Sequence, residues 1–142
     1  MKRWLLNASP AVRSVVGLAT GWLTWTVVLL AGLGSLQLAL PGYAEAVPEK
    51  AYTLPMQIAR LVVFGLAVAG TAGVARFVTG SRRMMWAAAG IILGLSIPDH
   101  LYPGYVWDDY PAWYHYTYLV SIVPLALLGG AVAGRIGSRT TA

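Results

Sequence analysis

The stretch "SVVGLATGWLTWTVVLLAGLGSLQL", Ser14 to Leu38, decides the fold, because it runs for 25 residues without one ionisable side chain. As a helix rising 1.5 Å per residue it would reach about 37 Å, more than the roughly 30 Å hydrocarbon core of a bilayer. It also exceeds the apolar core of a signal peptide, so the reading is a retained membrane span.

Three further segments are mainly apolar over a spanning length: Met56 to Val78, Met84 to about Leu101, and Tyr114 or Tyr116 to Ala133. The third is the weakest, since Ser96, Pro98, Asp99 and His100 crowd its end, and a re-entrant segment is the alternative there. Composition agrees with four spans, as 58% of the 142 residues are hydrophobic and only 11% charged. The expected fold class is therefore all-α, an integral membrane four-helix bundle forming a single domain over residues 1–142. Its loops would cover about 39–55 and 102–113.

Charge orients the bundle. Lys2, Arg3 and Arg13 precede span one, Arg76 in the last turn of span two joins Arg82 and Arg83 around the connection to span three, and Arg135 and Arg139 follow span four. The positive-inside rule places these regions, and both termini, in the cytoplasm. All five carboxylates, Glu45, Glu49, Asp99, Asp108 and Asp109, fall at the opposite end with Lys50. The net charge of +5 is spread between apolar runs instead of forming a patch, so a lipid bilayer is the expected partner and nucleic acid is not. Without cysteine there is no disulfide framework and no thiolate chemistry.

Helices associate in lipid through small residues that let backbones approach. Pairs spaced by four occur in every span: Gly17 and Gly21, Ala69 and Gly73, Gly90 and Gly94, Gly130 and Gly134. The expectation is intramolecular packing, with a homodimer or another membrane protein as the remaining use of these surfaces. Trp22 and Trp25 fall near mid-membrane and read as packing residues.

Arg60 is the basic residue inside a span, where an unpaired charge is expensive. About 16 helical positions separate it from Arg76, and about 16 separate Asp99 from Arg83, or roughly 24 Å in each case. At equal heights, Arg60 is expected to pair with Asp99, or with Glu45 as a substitute. The second loop, "PDHLYPGYVWDDYPAWYHYTY" (Pro98 to Tyr118), supplies the other candidate binding residues: His100, His115, Asp108 and Trp113. Their tyrosines and tryptophans suit a headgroup-level girdle, but their density suggests a loop folded back across the bundle mouth. No HExxH, glycine-rich phosphate loop or GxSxG motif is present, so no catalytic residue, metal ligand or cofactor is assigned. Pro-Gly-Tyr occurs twice, at Pro41 and Pro103, either as a duplicated hairpin or as the same turn chemistry used twice.

The segment "YPAWYHYTYLVSIVPLALLGG", Tyr110 to Gly130, preceded by "LPGYAEA" and "TLPMQIARL", resembles a group of uncharacterised small four-span bacterial inner-membrane proteins with a WYH-containing fourth span. That resemblance implies the four-span layout and a bacterial inner membrane, and it carries over no catalytic residue. The function expected from the sequence is that of a non-enzymatic accessory or interaction subunit. The alternative is a binder or transporter of an ion, lipid or small polar ligand at a one-sided pocket around Arg60, Asp99 and His100.

Overall fold

A computed structural model describes residues 8–104 and 106–139, apart from the side chains of 138 and 139. Lys2, Arg3, Trp4 and Tyr105 lie outside the described residues. The chain forms helices α1 (Pro10–Ala39), α2 (Tyr43–Glu49), α3 (Leu54–Thr79), α4 (Arg82–Leu101) and α5 (Ala112–Arg139), with a 3-10 turn at Trp107–Asp109. Four of these, all but α2, are long and apolar enough to cross a membrane, which identifies a multi-pass membrane protein.

Local chemistry sets the boundaries. Helix α1 begins four residues before the expected Ser14, because Ser9 Oγ accepts from the Val12 amide and Pro10 fills the first turn, where no amide donor is needed. Gly80, at φ +67°, ends α3, and Ser81 Oγ accepts from the Arg83 amide to start α4. Helix α4 then runs 20 residues without interruption through Pro98, so the third candidate span is one continuous helix of spanning length. The two Pro-Gly turns share their backbone solution, since Gly42 and Gly104 both have left-handed φ, +74° and +91°. Their continuations differ: the first enters α2, the second leads to the 3-10 turn.

Packing is inverted relative to a water-soluble bundle. The buried positions are rich in small residues, with Ala67, Ala72 and Ala75 fully enclosed, whereas Leu30 and Val120 are 72% and 75% exposed, as lipid-facing side chains are. Helix α3 lies at the centre, packed closely against α1 and α5, and α4 covers α3 and α5. Helices α1 and α4 barely touch, which leaves a cleft between them with α3 as its floor.

The small residues do unequal work. Gly17 and Gly21 seat α1 against Ala75, Thr79 and Thr71 of α3, and Gly73 lies against the Gly129 backbone. The closest backbone crossing is one the spacing did not show: a methyl group on Gly129 would overlap the Ala69 carbonyl. Gly130 and Gly134 make room for side chains, those of Met85 and Arg76, and Arg76 Nη1 donates to the Gly130 carbonyl at 2.7 Å. Gly90 and Gly94 depart from expectation, because a Cβ at either would meet nothing within 4 Å. They sit on the exposed side of α4, turned away from the neighbours that Ala89 and Ile92 contact.

Candidate functional site

The two interhelical loops fold back over one end of the bundle, and the charges divide accordingly. Arg13, Arg76, Arg82, Arg83 and Arg135 belong to the end where α1 begins and α5 ends, while the five carboxylates and Lys50 belong to the loop end. The loops are tied together there by an ion pair, Lys50 Nζ to Asp109 Oδ1 at 2.8 Å, between the end of α2 and the 3-10 turn. A stack of rings continues the tie inward: Tyr52 lies on Tyr110 with centroids 5.4 Å apart, and Tyr110 lies on Tyr114 at 4.3 Å. The crowded aromatics thus form a folded cap, as their density suggested, and burial within it pushes the Tyr110 phenol above its ordinary range against the pull of Arg60.

Arg60 is held by this cap. Its Nη1 donates to Tyr43 Oη at 2.7 Å and, more weakly, to Tyr52 Oη at 3.4 Å. The guanidinium carbon sits 4.6 Å from the Tyr52 ring centroid, 5.6 Å from Tyr110 and 6.0 Å from Phe64. Such faces attract a cation by their quadrupoles, each for about 0.5–2 kcal/mol, but they carry no net charge. The expected ion pair with Asp99 is therefore replaced by tyrosine hydroxyls and rings, and the exposed Glu45 does not substitute. The reason is local. Gly42 turns the chain so that Tyr43, at the start of α2, is buried and directed at α3, while Asp99 lies on the exposed side of α4. Among the described residues no acceptor reaches the buried Nε of Arg60.

Arg60 and Asp99 do share a cavity. It measures about 330 Å³ and opens in the cleft between α1 and α4, with His100 and Ser96 on the α4 wall, Arg60 and Phe64 on α3, and Trp22 and Trp25 on α1. The two tryptophans, expected to serve packing, stack on each other at 6.2 Å and line this space.

The histidines meet edge to edge behind it. His100 Nδ1 and His115 Nδ1 are 2.9 Å apart, and His115 is fully buried. His115 Nε2 faces two backbone carbonyls, of Trp107 at 3.2 Å and Tyr110 at 3.1 Å. Carbonyls only accept, so Nε2 of His115 carries the hydrogen. In the neutral pair His115 Nδ1 is then an acceptor, His100 Nδ1 donates to it, and His100 Nε2 is left as a bare acceptor. His100 is further positioned by stacking on Tyr118 at 4.3 Å, whose hydroxyl is 3.1 Å from Ser96 Oγ.

Two candidates lie elsewhere. Asp108 accepts from the Gly104 amide at 3.2 Å and shapes the turn, and Trp113 packs its edge on Tyr114 at a partly exposed position. His115 supports the cavity without lining it. Conversely Tyr43, Tyr52, Tyr110, Tyr114 and Tyr118 were missed as individual site residues. The usable signal was the intramembrane arginine itself, which needs acceptors when no carboxylate stands within a helical turn of it. The intramembrane threonines offer no polar route onward: Thr20, Thr24, Thr26, Thr71 and Thr79 each bond a carbonyl of their own helix.

The chain matches no protein-family model, no curated protein and no solved structure.

Proposed function

We propose that this is a non-enzymatic membrane protein that binds a small polar or amphipathic ligand in the cavity lined by Arg60, Asp99 and His100. The observation that carries the reading is a half-buried cation with no carboxylate partner among the described residues, on the wall of a cavity of about 330 Å³. Pockets of this size that combine aromatic walls with a few convergent polar groups are the usual form of ligand sites. The site is one-sided, because the polar groups end at Ser96 and the cleft beyond is apolar. A binder, receptor or accessory subunit fits this better than a channel.

The loop end faces outward from the cytoplasm in this proposal, supported by the arginine excess at the opposite end. The compartment proposed is a bacterial inner membrane, supported by the resemblance of the WYH segment. Because the chain has no cysteine, Glu45→Cys and Arg82→Cys test orientation directly. A membrane-impermeant thiol reagent should label the first in intact cells and the second only after lysis.

Binding is tested by native mass spectrometry of the full chain extracted in mild detergent. Wild type should retain an added mass that Arg60→Gln loses while its helical circular dichroism is unchanged. Identical spectra for the two proteins would reject the site.

A further inference from the structure

The cavity does not end at its apolar wall. A second space of about 480 Å³ continues it toward the opposite, arginine-rich end, lined by Val15, Leu18 and Ala19 of α1, Ala88 and Ile91 of α4, and Thr71 of the α3 floor. Trp22 and Leu95 line both spaces, so the two form one cleft with a polar head and an apolar tail. The Thr71 hydroxyl is bonded to the Ala67 carbonyl at 2.7 Å, and the rest of the tail lining is aliphatic apart from the Trp22 indole. Thr71 lies eleven residues beyond Arg60 on α3, about 16 Å below it. The tail therefore begins within reach of a group held at Arg60 and runs on along the membrane depth.

The head is divided by hydrogen-bonding sense. Its α3 wall presents a donor, the guanidinium of Arg60, and a guanidinium never accepts. Its α4 wall presents acceptors, the Asp99 carboxylate and, in the neutral histidine pair, His100 Nε2. Positive and negative walls that do not satisfy each other complement a ligand carrying both charges. Guanidinium is suited to phosphate, and a carboxylate beside a bare imidazole nitrogen is suited to a primary ammonium with its three donors. Resting on the ligand-binding reading above, we propose that the cleft between α1 and α4 holds one zwitterionic aminophospholipid, its phosphate on Arg60, its ammonium on Asp99 and His100, and an acyl chain along Ala19 and Ala88.

The test uses the full chain in detergent, with native mass spectrometry counting bound lipid as dioleoyl-phosphatidylethanolamine, dioleoyl-phosphatidylglycerol or the short dihexanoyl-phosphatidylethanolamine is added. Wild type should retain one phosphatidylethanolamine about tenfold more tightly than phosphatidylglycerol, the ratio expected for about 1.4 kcal/mol from the ammonium contact. Asp99→Asn should abolish that preference, and Arg60→Gln should remove all three lipids. Ala19 is exposed on the cleft wall, so Ala19→Trp blocks the tail without entering the core. It should weaken the dioleoyl lipid at least tenfold and spare the dihexanoyl lipid; Ala19→Leu, a smaller block, decides if the tryptophan variant does not fold.

The outcomes separate the two readings. Ala19 variants with unaltered retention of the dioleoyl lipid would overturn the tail seat while leaving the polar site standing. Equal retention of both headgroups, unmoved by Asp99→Asn, would overturn the aminophospholipid assignment. A second copy of the chain that persists in lipid and is released by Ala19→Trp would give the cleft to a dimer. Failure of wild type to hold any of the three lipids or a co-purified molecule would remove the binding function itself.

Discussion

Arg60 Nη1 donates to Tyr43 Oη across 2.7 Å, and this bond, not an ion pair, fixes the one arginine that the described residues place in the loop-end half of the bundle. Removing the acceptor leaves a half-buried cation with one partner fewer, which costs about 1–3 kcal/mol when the stranded group is charged. Tyr43→Phe should therefore lower the thermal midpoint measurably. Asp99→Asn, which touches no bond of Arg60, should stay within about 0.5 kcal/mol of wild type. A double-mutant cycle makes the point sharper: Arg60 should couple to Tyr43 and show almost no coupling to Asp99. A coupling of more than about 1 kcal/mol between Arg60 and Asp99 would restore the ion pair and contradict the geometry.

The histidine pair predicts a tautomer for each ring. His115 should carry its proton on Nε2, facing the Trp107 and Tyr110 carbonyls, and His100 on Nδ1, facing His115. Nitrogen-15 spectra of the two imidazoles at neutral pH should show opposite protonation patterns. Two rings protonated on Nε2 would mean that the 2.9 Å contact is not the hydrogen bond described. His115→Ala should also loosen the cap, because two carbonyls lose their donor, and hydrogen exchange around Trp107 to Tyr110 should rise.

Glycines look alike in sequence but sit in different surroundings. Gly129→Ala places a methyl group on the Ala69 carbonyl, where neither helix backbone can yield cheaply. The expected result is a loss of folded yield or at least about 2–3 kcal/mol, the range for overpacking a close contact. Gly94→Ala meets nothing within 4 Å and trades a flexible helical residue for a better helix former, a change worth up to about 1 kcal/mol in the stabilising direction. Equal effects at the two positions, measured by thermal unfolding in one detergent, would refute this division.

What the sequence made legible follows from where the physics is local. Span number, approximate ends and the charge split depend on runs of apolar residues and on arginine positions, and these survive folding unchanged. The single-residue partners did not, for two reasons. Helical spacing can say that Gly90 and Gly94 share a face, but not that this face of α4 has no neighbour. Equal depth can bring Arg60 and Asp99 to one level, but rotation about each helix axis decides whether they meet, and that rotation is set by burying Ala88, Ala89 and Ile92. Tyr43 was obscured by the opposite problem: a turn at Gly42 carries a loop residue back into the bundle, and period arguments stop at turns. The cavity was anticipated at Arg60, Asp99 and His100, yet its tryptophan wall was read as packing because mid-membrane aromatics usually are.

Tyr110 ties the cap to a pH dependence with a definite sign. Burial raises its phenol above the value near 10 that it has in the unfolded chain, since the cap disfavours the phenolate more than Arg60 favours it. Below about pH 10 both states keep the proton and this group contributes no slope. Above that, the unfolded chain ionises first and binds fewer protons than the folded one, so stability falls as pH rises. The alkaline decline of the thermal midpoint should be shallower in Tyr110→Phe than in wild type. The difference titration between the two proteins should show no phenolate absorbance at about pH 10, where an exposed tyrosine is half ionised. A phenolate signal from Tyr110 at that pH would place its hydroxyl in water, and the stack that joins Tyr52 to Tyr114 over Arg60 would then not close.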